Sequence, residues 1–367
     1  MTRTGGLYIH IPFCKQKCGY CDFASFAGLE NQMDAYLTAL AREAQGYAGA
    51  RFDTLYIGGG TPSLLSVEQW KKLFEMISEN FGAAENVAES TLEANPESLT
   101  KEKAVFLKAA GLKRLSIGLQ SFDDDTLKRI GRIHTTDMFL RAYEAARAAG
   151  FDNINVDLIA GLPGQSETQF LNGLKKLIAL KPEHISVYAL QVEEGTPFYR
   201  AGVVADEDLI RREWEQAHFL LAENGYIHYE ISNFARAGFE SKHNLNYWDN
   251  GQYLGLGSAA ASYQHAVRRS NVPSVGEYIA RLQNGKSPTD FEEHLTGKAA
   301  AGEQIMLGLR KLGGVRLSAQ QQALFSSEIQ DLQARGLVEQ NGDLLKLTFE
   351  GMFLANQAFM AFVGPFE

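Results

Sequence analysis

The sequence predicts an α/β fold: a partial or full TIM-like barrel followed by a small winged-helix-like C-terminal domain. Three observations predict it. Apolar, β-rich stretches alternate with amphipathic helical patterns six times before Gly225, which implies parallel βαβ units with right-handed crossovers. The rhythm breaks at Gly225, where aromatic, glycine-rich sequence takes over. Near the C-terminus a hairpin pattern lies between helical patterns.

The strands are expected at 7–11, 54–57, 90–93, 114–118, 153–158 and 183–189. Apolar residues at 3.6-residue spacing mark helices at about 31–47, 67–80, 101–110, 138–148, 167–179 and 206–223. Gly111, Gly150 and Gly225 end three of them. Residues 226–288 read as a connecting region, and a helical block begins at about 289. Residues 336–348 read as a hairpin turning at Asn341-Gly342, with a last helix over 349–362. The expected parts are therefore a barrel core at 1–225, the connection at 226–288 and a C-terminal domain at 289–367.

A chain of 367 residues has room for a large barrel plus a smaller domain. Its 45% apolar and 22% charged composition is that of an ordinary soluble globular protein. No apolar run approaches the roughly 20 residues that a membrane-spanning helix needs. The opening Met1-Thr-Arg-Thr-Gly-Gly has no signal-peptide apolar region. A net charge of −9 argues against nucleic-acid binding, which depends on clustered Lys and Arg. The winged-helix-like part is itself acidic, with six basic against ten acidic residues over 290–367, and 319–332 carries no Lys or Arg, so DNA binding is excluded.

Cys14, Cys18 and Cys21 are the only cysteines, spaced C-x3-C-x2-C. Three thiolates on one short loop can ligate three irons of a [4Fe–4S] cluster, whereas most such proteins supply four. With no fourth cysteine, one iron is left for a non-protein ligand. An open iron can chelate the amino and carboxylate groups of S-adenosylmethionine (SAM) and pass an electron to its sulfonium, the radical-SAM arrangement. Three alternatives compete. A zinc site with His10 would lack the usual paired knuckles. A Cys18-x-x-Cys21 redox pair would leave Cys14 without a role, and covalent heme attachment needs a histidine where Asp22 stands. Closely spaced thiols with no disulfide framework point to a reducing, cytoplasmic setting.

In β/α barrels the site lies at the C-terminal strand ends, and here those ends suit a polar, zwitterionic ligand. The second strand runs into Gly58-Gly-Gly-Thr-Pro62, where missing Cβ atoms let backbone approach a ligand. The third ends at Glu93, the fourth at Gln120, the fifth carries Asp157 and the sixth ends near Ala189. Each has a plainer reading: a turn, a helix cap, a surface cation at Arg132 or a backbone partner at Gln120. Together with the cysteine loop on the first strand, they favour one site.

Tyr8-Ile-His-Ile-Pro-Phe-Cys14, the cysteine triad, Ile57-Gly-Gly-Gly-Thr-Pro62, Leu115-Ser-Ile-Gly-Leu-Gln120 and Asp157-Leu-Ile-Ala-Gly-Leu-Pro163 resemble the oxygen-independent coproporphyrinogen III oxidase (HemN) superfamily over nearly the whole chain. The resemblance implies SAM contacts from Tyr8, Tyr20, Gly59, Gly60, Thr61, Glu93, Gln120, Arg132, Asp157 and Ala189. Arg132 suits a carboxylate, Glu93 and Asp157 an ammonium or ribose hydroxyls, and Tyr20 could cover the adenine. Two departures stand out: Phe23 occupies the place of the oxidase's further cysteine, and the oxidase's long N-terminal extension is missing. Both resemble the HemW branch, regarded as heme chaperones serving respiratory and other acceptor hemoproteins, with acceptors expected at the cytoplasmic membrane face. Its H-N-x-x-Y-W segment stands here as His243-Asn-Leu-Asn-Tyr-Trp248. Histidine and tyrosine both serve as axial heme ligands, so His243 and Tyr247 are candidate heme contacts, with Trp248, Tyr253 and Tyr263 as flat apolar walls. From the residues alone, packing of these aromatics between barrel and C-terminal domain is an equal alternative. The other functional reading is a radical-SAM coproporphyrinogen dehydrogenase; Phe23, the short N-terminus and the His243–Trp248 segment favour the chaperone branch.

Overall fold

The structure is a computed structural model and describes residues 5–363; the first four residues of the N-terminal segment lie outside them. One open sheet of twelve strands dominates: β1 Gly6–Ile11, β2 Thr54–Gly59, β3 Glu89–Ala94, β4 Arg114–Gln120, β5 Ile154–Ala160, β6 His184–Ala189, β7 Ile227–Glu230, β8 Asn233–Ala235, β9 Tyr253–Leu256, β10 Ala261–Gln264, β11 Val267–Asn271 and β12 Thr289–His294. Across the sheet the order is β12-β11-β10-β9-β1-β2-β3-β4-β5-β6-β8-β7. Strands β9 and β1 through β6 run parallel. Antiparallel strands close off both ends of that run. The end strands β12 and β7 do not pair with each other, so the barrel is partial.

Side-chain parity explains the lumen. Along a strand, alternate residues face opposite sides. One set, including Leu55, Ile57, Leu92, Leu115, Ile117, Val156, Leu158, Ile185 and Val187, is buried in a core shared with Trp70, Leu107, Phe139 and Leu174 of the covering helices. Each such side chain contributes about 1.5–3 kcal/mol on burial. The other set, including Thr54, Tyr56, Glu93, Ser116, Asn155, Asp157, His184 and Ser186, is polar and bonds across the lumen. Asn155 donates to Ser116 Oγ at 2.8 Å and to Asp157 Oδ1 at 2.7 Å, and its Oδ1 lies 2.6 Å from His184 Nδ1. Parallel strands covered on both faces usually read as continuous apolar runs; here the alternation marks a lumen built to hold something polar.

The crossover helices begin where side-chain caps are available: Ser66, Thr100, Thr135, Ser166 and Asp206 each accept from a backbone N–H of the first turn. The stretch 226–288 is more than a connection. It supplies β7 through β11, and β9 docks parallel on β1. Residues 289–294, expected to open a helical block, instead form β12, whose Glu292 and Glu293 pair in register with Arg269 and Arg268. Opposite charges across a ribbon favour that pairing, and helix begins only at Gly297.

The C-terminal part has its own core of Ile305, Leu309, Phe325, Leu332, Leu345 and Phe362. Helix Gly297–Leu309 leads to β13 Val315–Arg316, helices Ala319–Leu324 and Ser326–Ala334 follow, and β14 Val338–Asn341 and β15 Leu344–Leu347 complete a small sheet with β13. The expected hairpin thus forms at Asn341-Gly342, while the last helix is divided at Leu354 into Phe349–Phe353 and Ala355–Val363. Among the described residues no helix is long and apolar enough to cross a membrane.

Candidate functional site: two adjoining cavities

The cysteine loop follows β1 and is pinned at four places. Phe13–Cys14 pairs in parallel with Phe26–Ala27, folding the loop back on itself. Gly60 and Thr61 donate backbone N–H bonds to Ile11 and Phe13 carbonyls at 2.9 and 2.8 Å. Gly19 N–H donates to Ile130 O, and Phe198 N–H donates to Gly19 O. The approach at Gly60 leaves no room for a side chain, since a Cβ there would lie 2.6 Å from Phe13 O.

All three cysteines are free thiols, and each sulfur has a polar neighbour. Thr61 Oγ1 donates to Cys14 Sγ at 3.5 Å, Arg132 Nη1 reaches Cys18 Sγ at 3.8 Å, and Cys21 Sγ lies 3.9 Å from Ser25 Oγ. Arg132 also governs the first of these at a distance: its Nη2 donates to Asn95 Oδ1, and Asn95 Nδ2 donates to Thr61 Oγ1. Arg132 Nε donates to Nδ1 of His134, whose Nε2 then donates to Leu119 O. Burial and the adjacent guanidinium push His134 down to about 3, so it stays neutral. Burial pushes the Cys14 and Cys21 thiols up. Binding an iron cluster there must therefore displace protons from these two thiols.

A mononuclear zinc site fits poorly. Among the described residues no three His, Cys, Asp or Glu side chains converge to hold a single ion. His10, the candidate fourth ligand, has Nε2 on Ala24 O and Nδ1 on Tyr8 OH, both at 2.9 Å. A four-iron cubane takes one cysteine at each of three corners, and Cys14, Cys18 and Cys21 all line one cavity.

Beneath the loop lies a cavity of about 430 Å³. Cys14, Cys18, Cys21, Tyr20, Gly59, Gly60, Thr61, Glu93, Gln120, Arg132, Asp157 and Ala189 all line it. Gln120 is held there with φ of 69°, a left-handed conformation uncommon outside glycine, at a register shift in the β4–β5 ladder. Glu93 Oε1 accepts from Tyr56 OH at 2.7 Å and Oε2 from Gly59 N–H at 2.9 Å. Burial nevertheless raises Glu93 to about 7, with Asp157 adding to the rise. Burial raises Asp157 as well, against hydrogen bonds from Ser186, Asn155 and Ser116. Two such buried carboxyls gain from a cationic ligand, which would offset their desolvation. Tyr56, Asn95, Ser116 and Tyr188 also line this cavity and were not expected. Parity would have found three of them: Tyr56, Ser116 and Tyr188 stand on the same strand faces as Thr54, Arg114 and Ser186.

Tyr8 falls elsewhere. It lines a second cavity of about 450 Å³, which shares Phe23, Gly59 and Glu93 with the first. The second cavity is walled by Tyr247, Trp248, Tyr253 and Tyr263, and Arg268 and Leu307 also line it. Tyr247 and Tyr253 meet edge to face with centroids 4.6 Å apart. Arg310 stacks over Trp248 at 4.3 Å and fixes that ring from behind. Tyr247 therefore stands at a wall, but His243 does not. His243 is 1% exposed, and its ring nitrogens lie 2.8 Å from Thr54 Oγ1 and 2.8 Å from Tyr247 OH. Burial, with Arg114 nearby, lowers it to about 3. In this conformation both ring nitrogens are engaged by hydroxyl groups inside the fold, and the ring does not line the cavity.

Fold and cysteine site together define a protein of the radical SAM class: the model of the Radical SAM superfamily matches residues 8–177, and that of the HemN C-terminal domain matches residues 295–354. The Escherichia coli coproporphyrinogen III oxidase HemN has the same fold, with a TM-score of 0.86 over 99% of this chain and 91% of that one at 24% identity. Relatives named "Heme chaperone HemW" are more similar in sequence. The Bacillus subtilis protein is 39% identical over 97% of this chain and 98% of its own length, and the Escherichia coli protein 42% identical over 69% and 68%. The chain belongs to the HemW family.

Proposed function

We propose that this chain is a heme chaperone that holds heme in the aromatic cavity, beside a SAM-ligated [4Fe–4S] cluster, and passes it to acceptor hemoproteins. The observation that carries the reading is the aromatic cavity itself, placed against the cysteine site and sharing Phe23, Gly59 and Glu93 with it. Its mostly apolar lining suits a flat macrocycle, as recognition sites of this size commonly do. Tyr247 would present its ring and hydroxyl to the heme, and His243 would hold that hydroxyl in place. Cys14, Cys18 and Cys21 would hold the cluster, and the lumen carboxyls with Arg132, Thr61 and Gln120 would hold SAM. When bound, such a pair supplies one-electron chemistry at the sulfonium. The chain's own part is to exclude water and offset charge there. The acceptors are proposed to be respiratory hemoproteins reached from the cytoplasmic face of the membrane.

Haemin titration of the reconstituted chain, read at the Soret band, should give one saturable site. Transfer should follow when an apo-hemoprotein is added. Anaerobic incubation with coproporphyrinogen III, SAM and a reductant should leave the substrate unchanged; conversion to protoporphyrinogen would overturn the chaperone reading.

A further inference from the structure

A porphyrin of the heme type is apolar over most of its perimeter and carries two propionates on one edge. The aromatic cavity has a matching polarity. Glu93 stands at the wall it shares with the cysteine site, and Arg268 is the one lysine or arginine among the described residues lining it. We propose that Arg268 is the propionate anchor of this cavity, that Glu303 is the internal carboxylate a propionate displaces from it, and that the heme consequently lies with its propionate edge away from the SAM site.

The inference rests on the heme reading above. Arg268 projects from β11, between Tyr263 on β10 and Glu293 on β12 in the register of the sheet. Its Nη2 donates to Glu303 Oε2 from helix Gly297–Leu309 of the C-terminal part. The pair is unequal. The Arg268 side chain is 32% exposed, whereas that of Glu303 is 8% exposed, and Glu303 Oε1 has no hydrogen-bond partner. A buried carboxylate with one oxygen unmet is poorly compensated for its desolvation. A guanidinium carries five N–H donors in a planar fork and binds carboxylates best in pairs. A propionate arriving from the cavity side can therefore take N–H groups that Glu303 leaves unused, and then replace it. Glu93 stands on β3, five strands from β11 in the sheet order, and a propionate there would meet a carboxyl that repels it once ionised. Leu307 lies one turn beyond Glu303 on the same helix and also faces the cavity. Propionate binding would thus act on the helix that joins the C-terminal part to the barrel.

The test compares haemin with haemin dimethyl ester, delivered from the same detergent, on wild type, Arg268→Gln, Glu303→Gln and Trp248→Ala, each normalised to folded protein. Removing a charge-assisted partner should weaken haemin about tenfold in Arg268→Gln and leave the ester unchanged. Glu303→Gln removes the competing charge and should tighten haemin several-fold, again with no effect on the ester. A merely structural ion pair predicts otherwise: both variants would lose thermal stability while both ligands kept their affinities. Equal responses of the two ligands, or none, would overturn the anchor. Trp248→Ala separates this failure from a deeper one, because it should weaken both ligands. If it weakens neither, heme does not occupy this cavity and the heme reading falls with it.

Discussion

The two cavities share a wall and little else. The one under the cysteine loop is framed by the ends of parallel strands, bonded across the lumen, and holds two carboxyls that burial makes reluctant to ionise. The other is walled by four aromatic rings from a short helix and two short strands beyond the β/α repeat. In the first, a chain of hydrogen bonds runs from Arg132 through Asn95 and Thr61 to Cys14. The second is held by ring packing and by contacts to the C-terminal part, such as Arg310 over Trp248. Hydrogen-bonded networks fix geometry for a reaction. Aromatic walls supply area and tolerate a cargo that must later leave.

The comparison implies separability, and the strongest way to break it is to empty one side. Alanine at Cys14, Cys18 and Cys21 together should take anaerobic reconstitution from about four irons per chain to none. Haemin affinity in the same variant should stay within a few-fold of wild type. Iron retained by the triple variant would sink the cluster assignment, and a collapse of heme binding would show that the cavities form one site. The reciprocal change is Trp248→Ala, which removes most of one wall. It should weaken haemin about 10- to 100-fold through lost apolar contact and leave SAM binding intact.

The same contrast decided what could be read from sequence. The cysteine cavity was legible because its residues sit at the ends of strands long enough to show alternation and carry motif glycines; every residue expected there lines it except Tyr8. Tyr8 does share the lumen face with Tyr56, its register partner, but the strands β9 and β10, which were not foreseen, extend the lumen past β1, and Tyr8 lines the second cavity there. Strand β9 has four residues, two of them flanking Gly255, too few to show a period. Residues 289–294 misled for a related reason: Thr-Asp-Phe-Glu-Glu-His lacks apolar alternation, and its pairing comes from the arginines of β11. The motif at 243–248 was visible, but not the direction of its histidine, which Thr54 on a strand 189 positions earlier determines.

A smaller effect sharpens the electrostatic side. Burial raises Glu93 to about 7, so its carboxylate fraction grows as pH climbs through neutrality. A sulfonium ligand is attracted only to the ionised form. SAM affinity of the reconstituted chain should therefore rise from about pH 6 to about pH 8. Glu93→Gln should weaken SAM about tenfold at the upper end and flatten the curve, as equilibrium dialysis would report. Parallel curves for the two proteins would assign the pH dependence to another group.

The smallest effect expected on either ligand belongs to His243, and it bears on what the shared wall is made of. Its ring stacks on Tyr56 with centroids 5.1 Å apart, and Tyr56 in turn bonds Glu93, so it braces both cavities without facing either. His243→Ala orphans the Thr54 and Tyr247 hydroxyls and should lower stability by about 1–3 kcal/mol. The sign with pH follows from its depressed value. The folded chain keeps this ring neutral down to about 3, whereas the unfolded chain protonates it near 6.5. Its stabilisation is thus complete above about 6.5 and lost as pH falls toward 3. The stability gap between wild type and His243→Ala, measured by denaturant unfolding, should shrink steadily on acidification. His134 and His228 also lie near 3 but are common to both proteins and cancel. Haemin affinity per folded molecule should change less in His243→Ala than in Tyr247→Phe, because only Tyr247 reaches the cavity. The reverse order, with the Soret band lost in His243→Ala alone, would mean that the ring leaves Thr54 and Tyr247 to meet the iron, and that the aromatic wall opens when heme arrives.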